Sequence, residues 1–203
     1  MSLAASNIAA DTAVEPARSR IMDEAANLFL QRGYEGTSLR QLAEVVGMKA
    51  GSLYYHFSSK DQLLTAILER GLDVMHEAFD RAEATHGDAE PFPRIVAHTR
   101  AHLSALFENG PYTAAHVVTF RTAPDSVRAS LVPSRDAYEA RWTELLHDLQ
   151  RTGSVAADID ITVARLALFG AMNSSVEWFD PDRGTLDRFA DAIARQFWTG
   201  AAA

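Results

Sequence analysis

The chain has 203 residues, 47% of them apolar, and a formal net charge of −8, which is enough apolar material for a sizeable core and excludes a disordered chain. It holds no cysteine, so a disulfide framework, a thiolate zinc site and a thiol redox switch are ruled out, and a cytoplasmic location fits. No stretch reaches the roughly 18 uninterrupted apolar residues of a membrane span, so no membrane partner is expected.

Residues 1–16 are rich in Ala and Ser and lack the basic start and apolar run of a secretory signal; they read as a disordered tail. A helix follows over residues 17–31, with Ile21, Ala25, Leu28 and Phe29 on one stripe and Gly33 placed to end it. Thr37 or Ser38 can cap a second, two-turn helix that turns Leu39, Leu42, Ala43 and Val46 inward, and Gly47 permits a sharp turn after it. A third helix, about Ala50–His56, buries Leu53 and Phe57 and leaves Ser52, Tyr55 and His56 near the surface. Ser58 or Ser59 then caps a long fourth helix from Lys60 through Leu64, Leu68 and Met75 to Phe79, a rod between two modules.

The remainder shows helical periodicity and no sustained period-two alternation, so no sheet is expected. Loop signals leave helices over residues 94–108, 112–122, 125–151, 161–178 and 185–198. Pro133 is expected to kink or interrupt the long one, and Asp160, beside Asp158, to cap the helix starting at Ile161. The fold class is therefore all-α: an N-terminal three-helix helix-turn-helix head, residues 17–60, linked to a larger C-terminal helical bundle, residues 61–203.

Charge divides the same way. Residues 17–60 hold six Lys or Arg against four Asp or Glu, whereas residues 61–203 carry a net −8. A duplex would be repelled by the body, so contact with DNA must be confined to the head. The only two lysines, Lys49 and Lys60, lie there beside Arg40, Ser52, Tyr54, Tyr55 and His56. A helix, a glycine turn and a second helix place that second helix in a major groove while the first crosses the backbone. Lys60, at a helix N-terminus, suits a phosphate, and Tyr55 and His56 can donate to others. Base reading falls to Arg40, whose fork matches guanine, and to Lys49, Ser52 and Tyr54; Ala50 and Gly51 let the backbone approach, and Ala50 suits a thymine methyl.

The stretch AANLFLQRGYEGTSLRQLAEVVGM followed by GSLYYHFSSKDQLL, within residues 21–64, resembles the N-terminal domain of the TetR family of bacterial transcriptional regulators. The resemblance implies a homodimer on a palindromic double-stranded DNA operator, usually a repressor released by a small-molecule effector. By position it implies DNA contacts at Ser38 and Arg40, a recognition segment of Lys49, Ala50, Gly51, Ser52, Tyr54, Tyr55 and His56, and a phosphate contact at Lys60. Lys49 stands where many members carry a helix-capping Ser or Thr, so the recognition helix starts without its usual cap.

In the body, Ala164, Leu168, Ala171 and Ser175 form a small-residue stripe beside Gly170, and Leu186, Phe189, Ile193 and Phe197 a second stripe; paired with their copies, as the resemblance implies, they would build a four-helix interface. The run NSSVEWFDP resembles a TetR subgroup that governs fatty-acid and steroid catabolism and responds to acyl-CoA thioesters. Phe107, Phe120, Trp142, Met172, Trp178 and Phe179 are candidates to line an apolar cavity, with His116, Arg121 and Asn173 as polar anchors; Arg121 can pair with a CoA phosphate or with a neighbouring carboxylate. A flat apolar compound expelled by an exporter is an alternative effector.

His98 and His102 lie four apart, a spacing that lets two imidazoles share a metal, but no HExxH signature surrounds them and polar groups on a partly buried helix are the default. Neither that motif nor a GxSxG turn supports the rival reading as a helical metal-dependent enzyme. No cofactor is implied, and a protein-docking adaptor would lack salt-dependent DNA affinity.

Overall fold

Nine α-helices and three short 3₁₀ turns make up the regular structure among the described residues, with no strand beyond an isolated bridge between Val155 and Ala202. The computed structural model describes the backbone of residues 3–202 and the side chains of residues 16–202. The first helix, α1 (Leu3–Arg32), begins within the segment expected as a tail; the side chains of that segment up to residue 15 lie outside the described residues, and the tail expectation with them.

The head is α1, α2 (Leu39–Val46) and α3 (Ala50–His56). Helices of seven or eight residues do not persist alone in water, so caps and packing must hold α2 and α3. Ser38, rather than Thr37, caps α2 through a capping box: its hydroxyl accepts from the Gln41 N–H at 3.2 Å, and the Gln41 side chain accepts from the Ser38 N–H at 2.9 Å. Gly47 ends the helix at φ 71°, a left-handed conformation that favours glycine, and Met48 N–H closes back to the Ala43 carbonyl at 2.8 Å. Ile21, Ala25 and Phe29 meet Leu42, Val46, Leu53 and Phe57 in a sealed core. Each of the larger side chains contributes about 1.5–3 kcal/mol by leaving water.

Ser59, rather than Ser58, caps α4 (Lys60–His86). This 27-residue helix leaves the head and becomes the central strut of the body, packed on α5 (Pro91–Phe107), α6 (Tyr112–Thr119) and α7 (Asp125–Arg151). Helix α8 (Ile161–Ser174) lies on α7, and α9 (Leu186–Ala201) packs on α5. Trp142 is fully buried at the centre, its ring 5.8 Å from Phe79 and 5.6 Å from Phe169.

Several boundaries differ from the sequence expectation. Helix α5 begins at Pro91, where a proline costs nothing because first-turn N–H groups have no partner. Helix α6 tightens into a 3₁₀ turn at Phe120–Thr122. The helix expected to run to residue 178 ends at Ser174 and continues as a 3₁₀ turn, Ser175–Glu177, where the hydroxyls of Ser174 and Ser175 bond back to the carbonyls of Ala171 and Met172. Pro133 does not interrupt α7: it and Ala129, whose carbonyl loses its helical donor, both lie on the exposed face, where water can replace the bond.

The α8 stripe expected to meet a partner is also rotated. Leu168 and Ser175 are 1% and 0% exposed and face the protomer's own core. The open face of α8 carries Val163, Leu166, Ala167, Gly170, Ala171 and Ser174 instead.

Candidate DNA-binding head and effector cavity

On the head, Ser38, Arg40, Lys49, Ala50, Gly51, Ser52, Tyr54 and Tyr55 are all exposed, and His56 is half-buried. Tyr54 and Tyr55 are 53% and 77% exposed, although the Tyr55 ring meets His56 edge-on at 5.4 Å; rings left this open are available to a partner. Lys49 caps α3 by position, with no side-chain hydrogen bond, so the helix relies on backbone closure onto the Lys49 carbonyl. Arg40 meets Glu44 one turn on at 3.6 Å, with both side chains largely in solvent; such a pair is worth little and releases the guanidinium easily.

Lys60 is more engaged than the sequence suggests. Its Nζ donates to the Tyr34 carbonyl at 2.9 Å and sits 3.9 Å from the centre of the Tyr34 ring. The Tyr34 hydroxyl in turn donates to Asp61. The ammonium is thus held in place at the N-terminus of α4, with further N–H groups left for a phosphate. Nothing in the local sequence signals this, because Tyr34 is 26 residues away.

In the body, α4, α5, α6, α7 and α8 line a partly open cavity of about 360 Å³. Of the residues expected at an effector site, His116, Phe120, Arg121 and Asn173 line it. Sequence reasoning missed His102, Tyr138, Phe169, Arg135 and Glu139, which complete its walls with Leu72 and Met75 of α4. Trp142 and Met172 are fully buried behind the wall and do not line the cavity. Phe107, Phe179, Phe189 and Trp178 form a separate aromatic stack, with Phe179 4.6 Å from Phe189 and 5.0 Å from Phe107. A wider groove of about 700 Å³ between α4, α5 and α9 lies open to solvent.

The cavity's polar groups are fixed by their partners. His102 Nε2 donates to Asn173 Oδ1 at 3.0 Å, so its Nδ1 accepts the Tyr138 hydroxyl at 2.9 Å. Burial pushes this imidazole down to about 4, against the opposing bond to Asn173; it is neutral at neutral pH. His116, 4% exposed, donates from Nδ1 to the Leu68 carbonyl on α4 at 3.1 Å and stacks on Phe120. Glu139 is bracketed by Arg135 at 3.2 Å and by Arg165, while Arg135 also covers the Phe120 ring at 4.4 Å. Arg121 is exposed at the rim.

The two histidines of α5 are committed elsewhere: His98 Nε2 meets Glu83 at 2.8 Å and His102 faces Tyr138 and Asn173. Among the described residues no three metal-binding side chains converge, and no helix is long and apolar enough to cross a membrane.

Helix-turn-helix head, connecting strut and body cavity together define a class. Residues 21–67 match the model for bacterial regulatory proteins of the tetR family, and residues 88–201 match the tetracyclin repressor-like C-terminal domain. The chain belongs to the TetR family of bacterial regulators, DNA-binding transcription factors rather than enzymes. Its relatives include the repressor KstR2 of Mycolicibacterium smegmatis, 27% identical over 94% of this chain and 92% of that one, and the repressor ComR of Escherichia coli, 45% identical over 71% and 70%. Among solved structures it is similar to AibR in complex with isovaleryl coenzyme A and operator DNA, at 26% identity and a TM-score of 0.79, covering 89% of this chain and 97% of that one.

Proposed function

We propose that this regulator is a homodimeric repressor that holds a palindromic operator through residues 38–60 and is released when a small apolar effector enters the body cavity. The observation that carries this reading is that one helix serves both sites. Lys60 and the cap Ser59 stand at the head end of α4, while Leu72 and Met75 of the same helix wall the cavity. The intervening distance is only about 18 Å at 1.5 Å per residue. An effector that fits one tilt of α4 better than another shifts the spacing of the two heads, and effector binding and DNA release become one linked equilibrium.

The open face of α8, with Val163 61% and Leu166 56% exposed beside Gly170, supports dimerisation there: small residues allow close helix approach, and the apolar ones gain by burial. The AibR complex supports an acyl-CoA as effector. A cavity of this size takes an acyl group, with the coenzyme left outside near Arg121.

The test is a gel-shift titration on a duplex selected from a random pool. Tyr55→Ala with Lys49→Ala weakens binding at least tenfold, while sedimentation and thermal melting show an unchanged dimer. Undiminished binding would sink the assignment of the head.

A further inference from the structure

We propose that His116 is the specificity-determining residue of the cavity, accepting at Nε2 a hydrogen bond from a hydroxyl or amide N–H on the buried end of the effector. The effector class is then an apolar body with an inward-pointing donor, not a bare hydrocarbon chain. This rests on the reading of the cavity as the effector site.

Valence sets the roles of the two ring nitrogens. The Leu68 carbonyl can only accept, so the 3.1 Å contact fixes the proton on His116 Nδ1. Burial, reinforced by the Arg135 charge and opposed by the Leu68 bond, lowers the imidazole to about 4, so at neutral pH Nε2 is an unprotonated acceptor. Among the described residues no protein donor reaches that nitrogen, and it is not sealed away from the cavity. Tyr138 is bonded to His102 and Thr113 to the Gly71 carbonyl at 3.1 Å, while Arg135 turns one of its N–H groups to Glu139. His102, the other buried imidazole in the wall, has both nitrogens paired within the protein.

The ring is also held from its sides. It stacks on Phe120 with centroids 5.3 Å apart. Helix α6 is pressed so closely on α4 that a Cβ at Gly71 would lie 3.0 Å from that of His116. The imidazole is therefore a fixed relay, with a donor bonded to the α4 backbone on one side and an acceptor offered to the cavity on the other. A ligand that covers Nε2 without offering a donor leaves this acceptor unpaired.

The experiment uses the full chain without DNA and three cyclohexanepropanoic acids carrying a hydroxyl, a methoxy group or neither at the ring carbon opposite the acid chain. Isothermal titration calorimetry is expected to show the hydroxy acid binding about tenfold tighter than either analogue, with the preference lost in His116→Phe. Equal affinities, no binding of the hydroxy acid, or a preference that survives His116→Phe overturns the proposal. Should that variant fail to fold, nitrogen NMR of the wild-type imidazole decides: a proton on Nε2, or no shift of Nε2 with the hydroxy acid, refutes it. Acids that bind equally and still release DNA would remove the role of His116 and leave the regulator reading intact.

Discussion

Gly71→Ala is a direct probe of the contact between α4 and α6. Glycine inside a helix costs about 1 kcal/mol relative to alanine, so in an isolated α4 the change would stabilise. In the folded protein the new Cβ would lie 2.6 Å from the Tyr112 carbonyl oxygen and 3.0 Å from the Tyr112 carbonyl carbon and the His116 Cβ. Two of those three atoms are backbone, so no side-chain rotation relieves the clash and α6 must move out by several tenths of an ångström. Overpacking of this kind costs about 1–3 kcal/mol. The shift also stretches the Thr113 bond to the Gly71 carbonyl and the His116 bond to Leu68, each worth about 1 kcal/mol. Set against the gain in propensity, the net is a loss of about 1–3 kcal/mol. For a chain of this length that is a fall in melting temperature of roughly 2–4 °C per kcal/mol, read by calorimetry at fixed protein concentration because the melting of the proposed dimer depends on it. A melting temperature equal to or above wild type would refute the packing argument.

Two further predictions concern acid and assembly. His102 and His116 ordinarily titrate near 6.5 and are held to about 4 in the fold. Above pH 6.5 both states are neutral; below it the unfolded chain takes up protons that the folded one refuses, so stability is complete above 6.5 and is lost as pH falls toward 4. With two such groups the slope approaches about 3 kcal/mol per pH unit, and urea midpoints at pH 7.5 and 5.5 should separate accordingly; coincident midpoints would contradict the assigned burial. Leu166→Arg places a charge in the middle of the open face of α8 and should yield a folded monomer by sedimentation equilibrium, whereas a persistent dimer would move the interface elsewhere.

The head was legible because its information is local. Ser38, Gly47 and Ser59 are cap residues whose chemistry acts within four positions, and the apolar stripes of α1 and α2 name their own buried faces. The cavity was not legible for the opposite reason. Its polar centre joins His102 to Tyr138 and Asn173 across 36 and 71 residues, and periodicity tells which face of a helix is apolar but not what meets it. Large aromatics were therefore poor guides: Phe120 lines the cavity, Trp142 fills the core behind it, and Trp178 with Phe179 belongs to a stack on Phe189. The one available signal for His102 was its place one turn after His98 on a helix face that also carries Leu106. Lys60 was expected at a helix N-terminus and begins α4, yet its tie to Tyr34 depends on how the loop after α1 folds back.

The length of α4 has a mechanical consequence. If the helix pivots where Leu72 and Met75 border the cavity, its head end lies at a radius of about 18 Å. A tilt of about 10° carries Lys60 sideways by roughly 3 Å, and the same tilt in a symmetric partner makes the relative displacement about 6 Å. Successive major grooves on one face of B-DNA are about 34 Å apart and each is about 12 Å wide, so that displacement is about half a groove width. With its fulcrum at the effector, a rigid α4 of this length would turn a change of a few degrees at the cavity into misregister on the duplex.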